Sequence, residues 1–180
     1  MSDEALLAAC ALGDSAALGA LYDRLSPHLW RFLSRLAGSR VDELEDLVQA
    51  TFVAVHASAA TFKGAASVRT WVFAIAANVT RRHLRDESRR RSAVDRLSRL
   101  PVTPVGRPDE SIEQQQLVVR LREALSALPH DLRVAIVMCD LEDIPGRDAA
   151  FVLDVPAGTL YRRVHEARRA LQTLVDEGRF

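Results

Sequence analysis

Apolar positions recur at three- and four-residue steps through most of the chain, the spacing of one face of a helix. Leu18, Leu21, Tyr22, Leu25, Leu29, Phe32, Leu33 and Leu36 form the first such stripe, with Pro27 as a point where a helix breaks or kinks. Gly38 and Ser39 interrupt it. Leu44, Leu47, Val48, Thr51, Phe52 and Val55 mark the next helix, and Asp42, Glu43 and Glu45 suit its positive N-terminal end. A loop of small residues follows Phe62, Lys63 and Gly64. Val68, Trp71, Val72, Ile75, Ala76, Val79 and His83 then share the face of a long third helix.

Residues 92–112 lose this rhythm. Pro101, Pro104, Gly106 and Pro108 fall in a stretch with little periodicity, which reads as a flexible linker, with continued helix up to Leu100 as an open alternative. Fully extended, its roughly 20 residues reach at most ~70 Å, equivalent to about 20 base pairs of duplex at ~3.4 Å each.

Beyond the linker the helical spacing returns. Leu117, Val118, Leu121, Leu125 and Leu128 form a stripe that Pro129 ends, and Leu132, Ala135, Ile136 and Cys139 form another, with Asp131 near its start. A short helix carrying Ala149, Val152 and Leu153 leads through the turn Asp154-Val155-Pro156 into a longer one lined by Leu160, Val164, Ala167, Leu171 and Leu174. Short helix, tight turn and longer basic helix make a helix-turn-helix signature. The expected fold is therefore all-α, in two small helical domains: residues 1–91, the linker 92–112, and residues 113–180.

Composition agrees with this and narrows the function. Apolar residues make up 48% of the chain, enough for two cores. No run approaches the ~18 apolar residues a membrane span requires, and Asp3 and Glu4 stand where a signal peptide would be basic. A cytoplasmic protein without membrane insertion is expected. Cys10 and Cys139 lie far apart on apolar stripes and read as buried free thiols rather than a disulfide. Neither cysteines nor histidines have metal-ligand spacing. The five histidines are scattered, with no nucleophile elbow, phosphate loop or paired carboxylates. No catalytic residue, metal or cofactor is expected.

The formal net charge is zero, yet charge is unevenly distributed. Six arginines fall between Arg81 and Arg91 and four between Tyr161 and Ala170, while four acids lie between Asp140 and Asp148. Two separated basic patches imply two separate anionic contacts. With Leu160, Val164 and Leu171 inward, the last helix turns Thr159, Tyr161, Arg162, His165, Glu166 and Arg169 outward. Arginine pairs with guanine edges and glutamate accepts from cytosine, so this face suits a major groove. Arg163 and Arg168 flank it, where phosphate is the natural partner. A solvated face of an ordinary bundle is the bland alternative. Ala149 and Ala150 weigh against that, because small residues let two helices cross closely.

The stretch LSALPHDLRVAIVMCDLEDIPGRDAAFVLDVPAGTLYRRVHEARRAL is similar to region 4 of sigma-70 family factors, especially the extracytoplasmic-function group. Val155-Pro156, Gly158-Thr159, Arg163, His165, Ala167-Arg168 and Leu171 carry the likeness. Pro145-Gly146 and Tyr161-Arg162 depart from it. Many members open the first helix with serine and an aromatic or acidic residue, and carry a basic residue and serine at the second pair. Independently, ALYDRLSPHLWRFLSRL and ELEDLVQATFVAVHASAATFKGAASVRTWVFAIAANVTRRHLR resemble sigma region 2.

The resemblance implies an order of tasks. Asp46, Leu47, Val48, Gln49, Phe52 and Val53 would grip core RNA polymerase; periodicity turns Leu47, Val48 and Phe52 inward and leaves Asp46, Gln49 and Val53 for the partner. Ala50 stands where many relatives carry glutamate. Lys63, Gly64, Arg69, Thr70, Trp71, Asn78, Arg81 and Arg82 would hold the melted minus-ten element, a small-residue loop leaving room for an extruded base. Trp71 keeps a second reading as a core aromatic, and Arg85 to Arg91 serve either upstream phosphate or solubility. Thr159, Tyr161, Arg162, Arg163, His165, Glu166, Arg168 and Arg169 would read the minus-thirty-five element. The implied partners are core RNA polymerase, promoter DNA and an anti-sigma factor. A helix-turn-helix regulator that binds duplex DNA without polymerase is the alternative function.

Overall fold

The computed structural model describes residues 1–37, 41–94 and 112–177, and its described residues contain helices and no strand. Ser2 accepts a hydrogen bond from the Ala5 N–H and starts α1, Asp3–Ala11. Asp14 caps α2, Ser15–Ala37, by accepting from the N–H groups of Ala16 and Ala17 at 2.9 and 3.1 Å. α3 is Val41–Ser58; a single 3-10 turn, Ala59–Thr61, closes it before the long α4, Val68–Val94.

Pro27 does not break α2. It removes one backbone donor, but Leu21 and Leu25 before it and Leu29 and Phe32 after it are all buried in one core, which carries the helix through. The separate α1 adds to the helices delimited from sequence: the apolar stripe of Cys10 also contains Leu6 and Leu7, and all three are buried. Phe32 and Phe73 stack at 4.3 Å between α2 and α4 in the centre of this half.

The second half comprises α5, Ile112–Ala127; α6, His130–Ile136, continued by a π-helical stretch Val137–Leu141; α7, Gly146–Val152; and α8, Ala157–Asp176. Asp154, in the turn between α7 and α8, takes a left-handed φ of 53°, which aspartate tolerates better than most residues. Ala149 and Ala150 are buried, and α7 packs on both α8 and α4. The linker expected over 92–112 falls largely on residues 95–111, outside those described.

The two halves pack together, with α5 against α2 and α7 against α4. Polar groups join them. Arg35 of α2 meets Glu142 at 2.5 Å, and the buried Arg133 donates to the Leu36 carbonyl in the last turn of α2. It also donates to the Ser126 and Leu128 carbonyls, at 2.8 and 2.9 Å, closing the end of α5. The His130 Nε2 lies 3.0 Å from the Ala77 carbonyl of α4 and donates to it.

Burial lowers the pKa of His130 from its ordinary 6.5, against the opposing pull of the Ala77 carbonyl; Arg133 and Arg81 lower it further and Asp131 raises it. Below 6.5 the unfolded chain therefore binds more protons at this position than the folded one. Stability is expected to fall as pH drops from 7.5 to 5.5, and His130→Gln should flatten that part of the profile. Urea midpoints across the range check this, and parallel profiles for the two proteins would exclude His130 as the cause.

Candidate polymerase and nucleic-acid interfaces

α3 divides its residues sharply. Leu47, Val48 and Phe52 are buried, with Phe52 tilted against Tyr22 at 4.9 Å, and the Thr51 hydroxyl donates to the Leu47 carbonyl. Asp46, Gln49, Ala50 and Val53 lie on the opposite, exposed face. Of the six residues expected to grip a partner, three therefore support the surface from beneath and three form it. Val53 is an apolar side chain 70% exposed on a polar face, a feature that solvation alone does not favour. Beside it, Tyr22, Ser26, Pro27, Trp30, Glu45, Val48 and Gln49 line a shallow groove between α2 and α3.

The loop entering α4 is shaped by Gly64, whose φ of +69° suits a residue without a Cβ. Lys63, Gly64 and Ala65 are exposed. Ser67 starts α4: its Oγ accepts from the Thr70 N–H at 3.1 Å and lies 2.8 Å from the Thr70 hydroxyl. Thr70 is buried by this arrangement, so it shapes the loop rather than facing a ligand. Trp71 is half-buried, its ring edge-on to Phe62 at 5.4 Å, which gives it one packed and one accessible side. Arg69 is partly exposed near the loop, and Asn78 and Arg82 are exposed further along α4. The Asn78 side chain accepts from Arg81.

α8 buries Leu160, Val164 and Ala167 and exposes Tyr161, Arg162, His165, Glu166, Arg168 and Arg169. Thr159 and Arg163 are partly buried. The two flanking arginines are engaged within the chain. Arg168 makes a two-pronged contact with Asp140 at 2.7 and 2.8 Å, which raises its pKa. Arg163 pairs with Asp131 at 2.8 Å. The same Asp131 carboxylate lies 3.9 Å from Arg81 of α4, so one acid holds an arginine from each candidate DNA surface. Sequence reasoning placed Asp131 only as a helix-start residue and missed Arg133 altogether, because neither pairing has a local spacing signal.

Cys10 is buried and Cys139 half-buried, and burial pushes both thiols up, as the neighbouring Asp14 and Asp140 also do. Such thiols are poor nucleophiles. Among the described residues, no cluster of histidine, cysteine and acidic side chains could hold a metal ion, and no helix is long and apolar enough to cross a membrane.

Residues 21–90 match the family model of sigma-70 region 2, and residues 119–171 match that of sigma-70 region 4. The chain belongs to the sigma-70 family. It is a sigma factor of the extracytoplasmic-function group, and the helix-turn-helix of α7 and α8 lies within its region 4. The ECF RNA polymerase sigma-E factor of Haemophilus influenzae is 26% identical over 97% of this sigma factor and 96% of its own length. The sigma-E factor of Escherichia coli K12 is 26% identical over 97% and 95%. Among solved structures, the sigma factor RpoE of Bartonella quintana, in complex with the anti-sigma factor NepR, superposes with a TM-score of 0.67. It is 27% identical, over 86% of this chain and 94% of that one. CnrH, in complex with the cytosolic domain of CnrY, shares the fold at a TM-score of 0.69 and 24% identity.

Proposed function

We propose that this sigma factor binds core RNA polymerase through the exposed face of α3, formed by Asp46, Gln49 and Val53 over the buried Leu47, Val48 and Phe52. Residues 1–91 act as the polymerase and minus-ten unit, 92–112 as the linker, and 113–180 as the minus-thirty-five unit. Lys63, Gly64, Arg69 and Trp71 form the loop and helix start that receive unpaired minus-ten bases, with Thr70 holding its shape. Asn78, Arg81 and Arg82 follow the backbone along α4. Tyr161, Arg162, His165, Glu166 and Arg169 of α8 read base edges in the major groove, while Thr159, Arg163 and Arg168 position the helix on phosphate. The observation that carries this reading is the division of α8 into a buried apolar face and an exposed polar and basic one, within a chain that also contains region 2.

Arg163, Arg168 and Arg81 leave Asp131 and Asp140 to reach phosphate, exchanging carboxylate for phosphate oxygen. The protein acts as a specificity subunit without catalysis or cofactor of its own, in the cytoplasm. An anti-sigma factor is its regulatory partner, supported by the 27% identical RpoE in its complex with NepR. A regulator that binds duplex DNA without polymerase is not favoured, because region 2 would then have no task.

In vitro transcription with core polymerase on genomic DNA tests the reading. Discrete start sites that depend on the added chain are expected, and their absence with active core enzyme counts against it. Duplex affinity should also fall steeply with salt, each neutralised phosphate contributing a slope of roughly −0.9 in log K against log salt; a flat response would exclude the phosphate contacts.

A further inference from the structure

Two residues that depart from the family pattern, Gly146 and Tyr161, touch each other. Gly146 is the first residue of α7 and Tyr161 lies in the first turns of α8. A Cβ placed on Gly146 would lie 2.7 Å from Cε1 of the Tyr161 ring and 3.0 Å from both its Cζ and its hydroxyl. Contacts that short are not tolerated, so the ring rests on the bare Cα of Gly146 and any larger residue there displaces it. Backbone conformation does not explain this glycine, since the positive-φ glycines of the described chain are Gly13 and Gly64. Glycine is also a poor helix former. Space for the ring is the remaining physical reason.

Tyr161 is nonetheless 56% exposed. One side of the ring is backed by Gly146, and Tyr161 is exposed on α8 together with Arg162, His165 and Glu166. It is the one aromatic hydrocarbon surface on that helix. Its orientation is set by a rigid backbone atom rather than by a flexible neighbour. In the major groove, the apolar group that such a surface can meet is the C5-methyl of thymine.

We propose that Tyr161 reads a thymine methyl within the minus-thirty-five element, and that Gly146 is the positioning residue that holds its ring for that contact. This rests on the reading of α8 as the duplex-reading helix. Tyr161 contributes selectivity through shape and apolar contact, while the neighbouring charged side chains contribute through hydrogen bonds.

The test uses holoenzyme, reconstituted from core polymerase and the full chain, on a promoter duplex taken from mapped start sites. Each thymine of the minus-thirty-five element is replaced in turn by deoxyuridine, which removes only the methyl. At one position wild-type affinity should fall on the order of four-fold, the value of one buried methyl-sized group. Tyr161→Ala should bind the two duplexes equally, whereas Tyr161→Phe should keep the discrimination, since the ring and not the hydroxyl carries it. Gly146→Ala should lose most of the discrimination with an unchanged melting temperature, because the ring can swing aside without disturbing the core. Adding Gly146→Ala to Tyr161→Ala should change nothing further. If wild-type holoenzyme binds the element specifically but no thymine-to-uracil exchange matters, the proposal fails and the reading of α8 stands. If it shows no sequence preference in the element at all, both fall. If Gly146→Ala weakens binding equally with and without Tyr161, the glycine has a different role and the positioning claim is overturned.

Discussion

Replacing Arg133 with alanine is expected to remove at least about 3 kcal/mol of folding stability, since each buried acceptor left without its donor costs roughly 1–3 kcal/mol. Arg133 is 7% exposed and serves the carbonyls of Leu36, Ser126 and Leu128. Two of these close α5, and the third ends α2 in the other half of the molecule. Helix C-terminal carbonyls have no partner within their own helix, so a buried cation there satisfies them and complements the helix dipole. Burial lowers the pKa of this guanidinium, but arginine retains its charge at any pH at which the fold is studied. Arg133→Met restores much of the volume without the donors and should remain well below wild type. By contrast, Arg24→Ala breaks an exposed pair with Asp3 and should cost at most about 1 kcal/mol. Urea denaturation of the three variants decides the matter; an Arg133→Ala loss no larger than that of Arg24→Ala would mean that water takes over the abandoned carbonyls.

Substituting glutamate for Val53 should lower affinity for core polymerase by about thirty-fold or more, the scale of a central interface residue losing roughly 2 kcal/mol. Val53 is 70% exposed, so the substitution should leave the unfolding curve unchanged. Phe52, its chain neighbour, is 5% exposed and packs on Tyr22. Phe52→Ala should cost about 3–5 kcal/mol of stability by opening a cavity, with any loss of polymerase binding following from that. Adjacent residues thereby separate the surface from its support. Wild-type affinity of Val53→Glu for core polymerase would remove this face of α3 from the interface.

Much of this architecture was legible because helices announce themselves locally. The stripe Leu21, Leu25, Leu29, Phe32 and the inward set Leu47, Val48, Phe52 are buried as their spacing requires. The helix-turn-helix was equally open to reading, with Ala149 and Ala150 buried and α7 packed on α8. What spacing left open also has a physical origin. Pro27 offers a point for a break or kink, but packing on both sides outweighs one lost hydrogen bond. The stripe around Cys10 is too short to delimit α1. Arg163 and Arg168 flank the outward face by spacing, and that they meet carboxylates follows from α6 and its π-helical extension, which place Asp131 and Asp140 beside them.

What the sequence determined by itself was the all-α character, the faces that go inward and the resemblance to both sigma regions, since each depends on spacings within about twenty residues. Only the tertiary structure decided which charges meet across the molecule: Arg133 with the end of α2, and Asp131 with Arg81 and Arg163 together. It also turned two isolated departures, Gly146 and Tyr161, into one contact. Periodicity records which way a side chain faces, whereas the identity of its partner depends on how separate helices pack, and no local pattern encodes that.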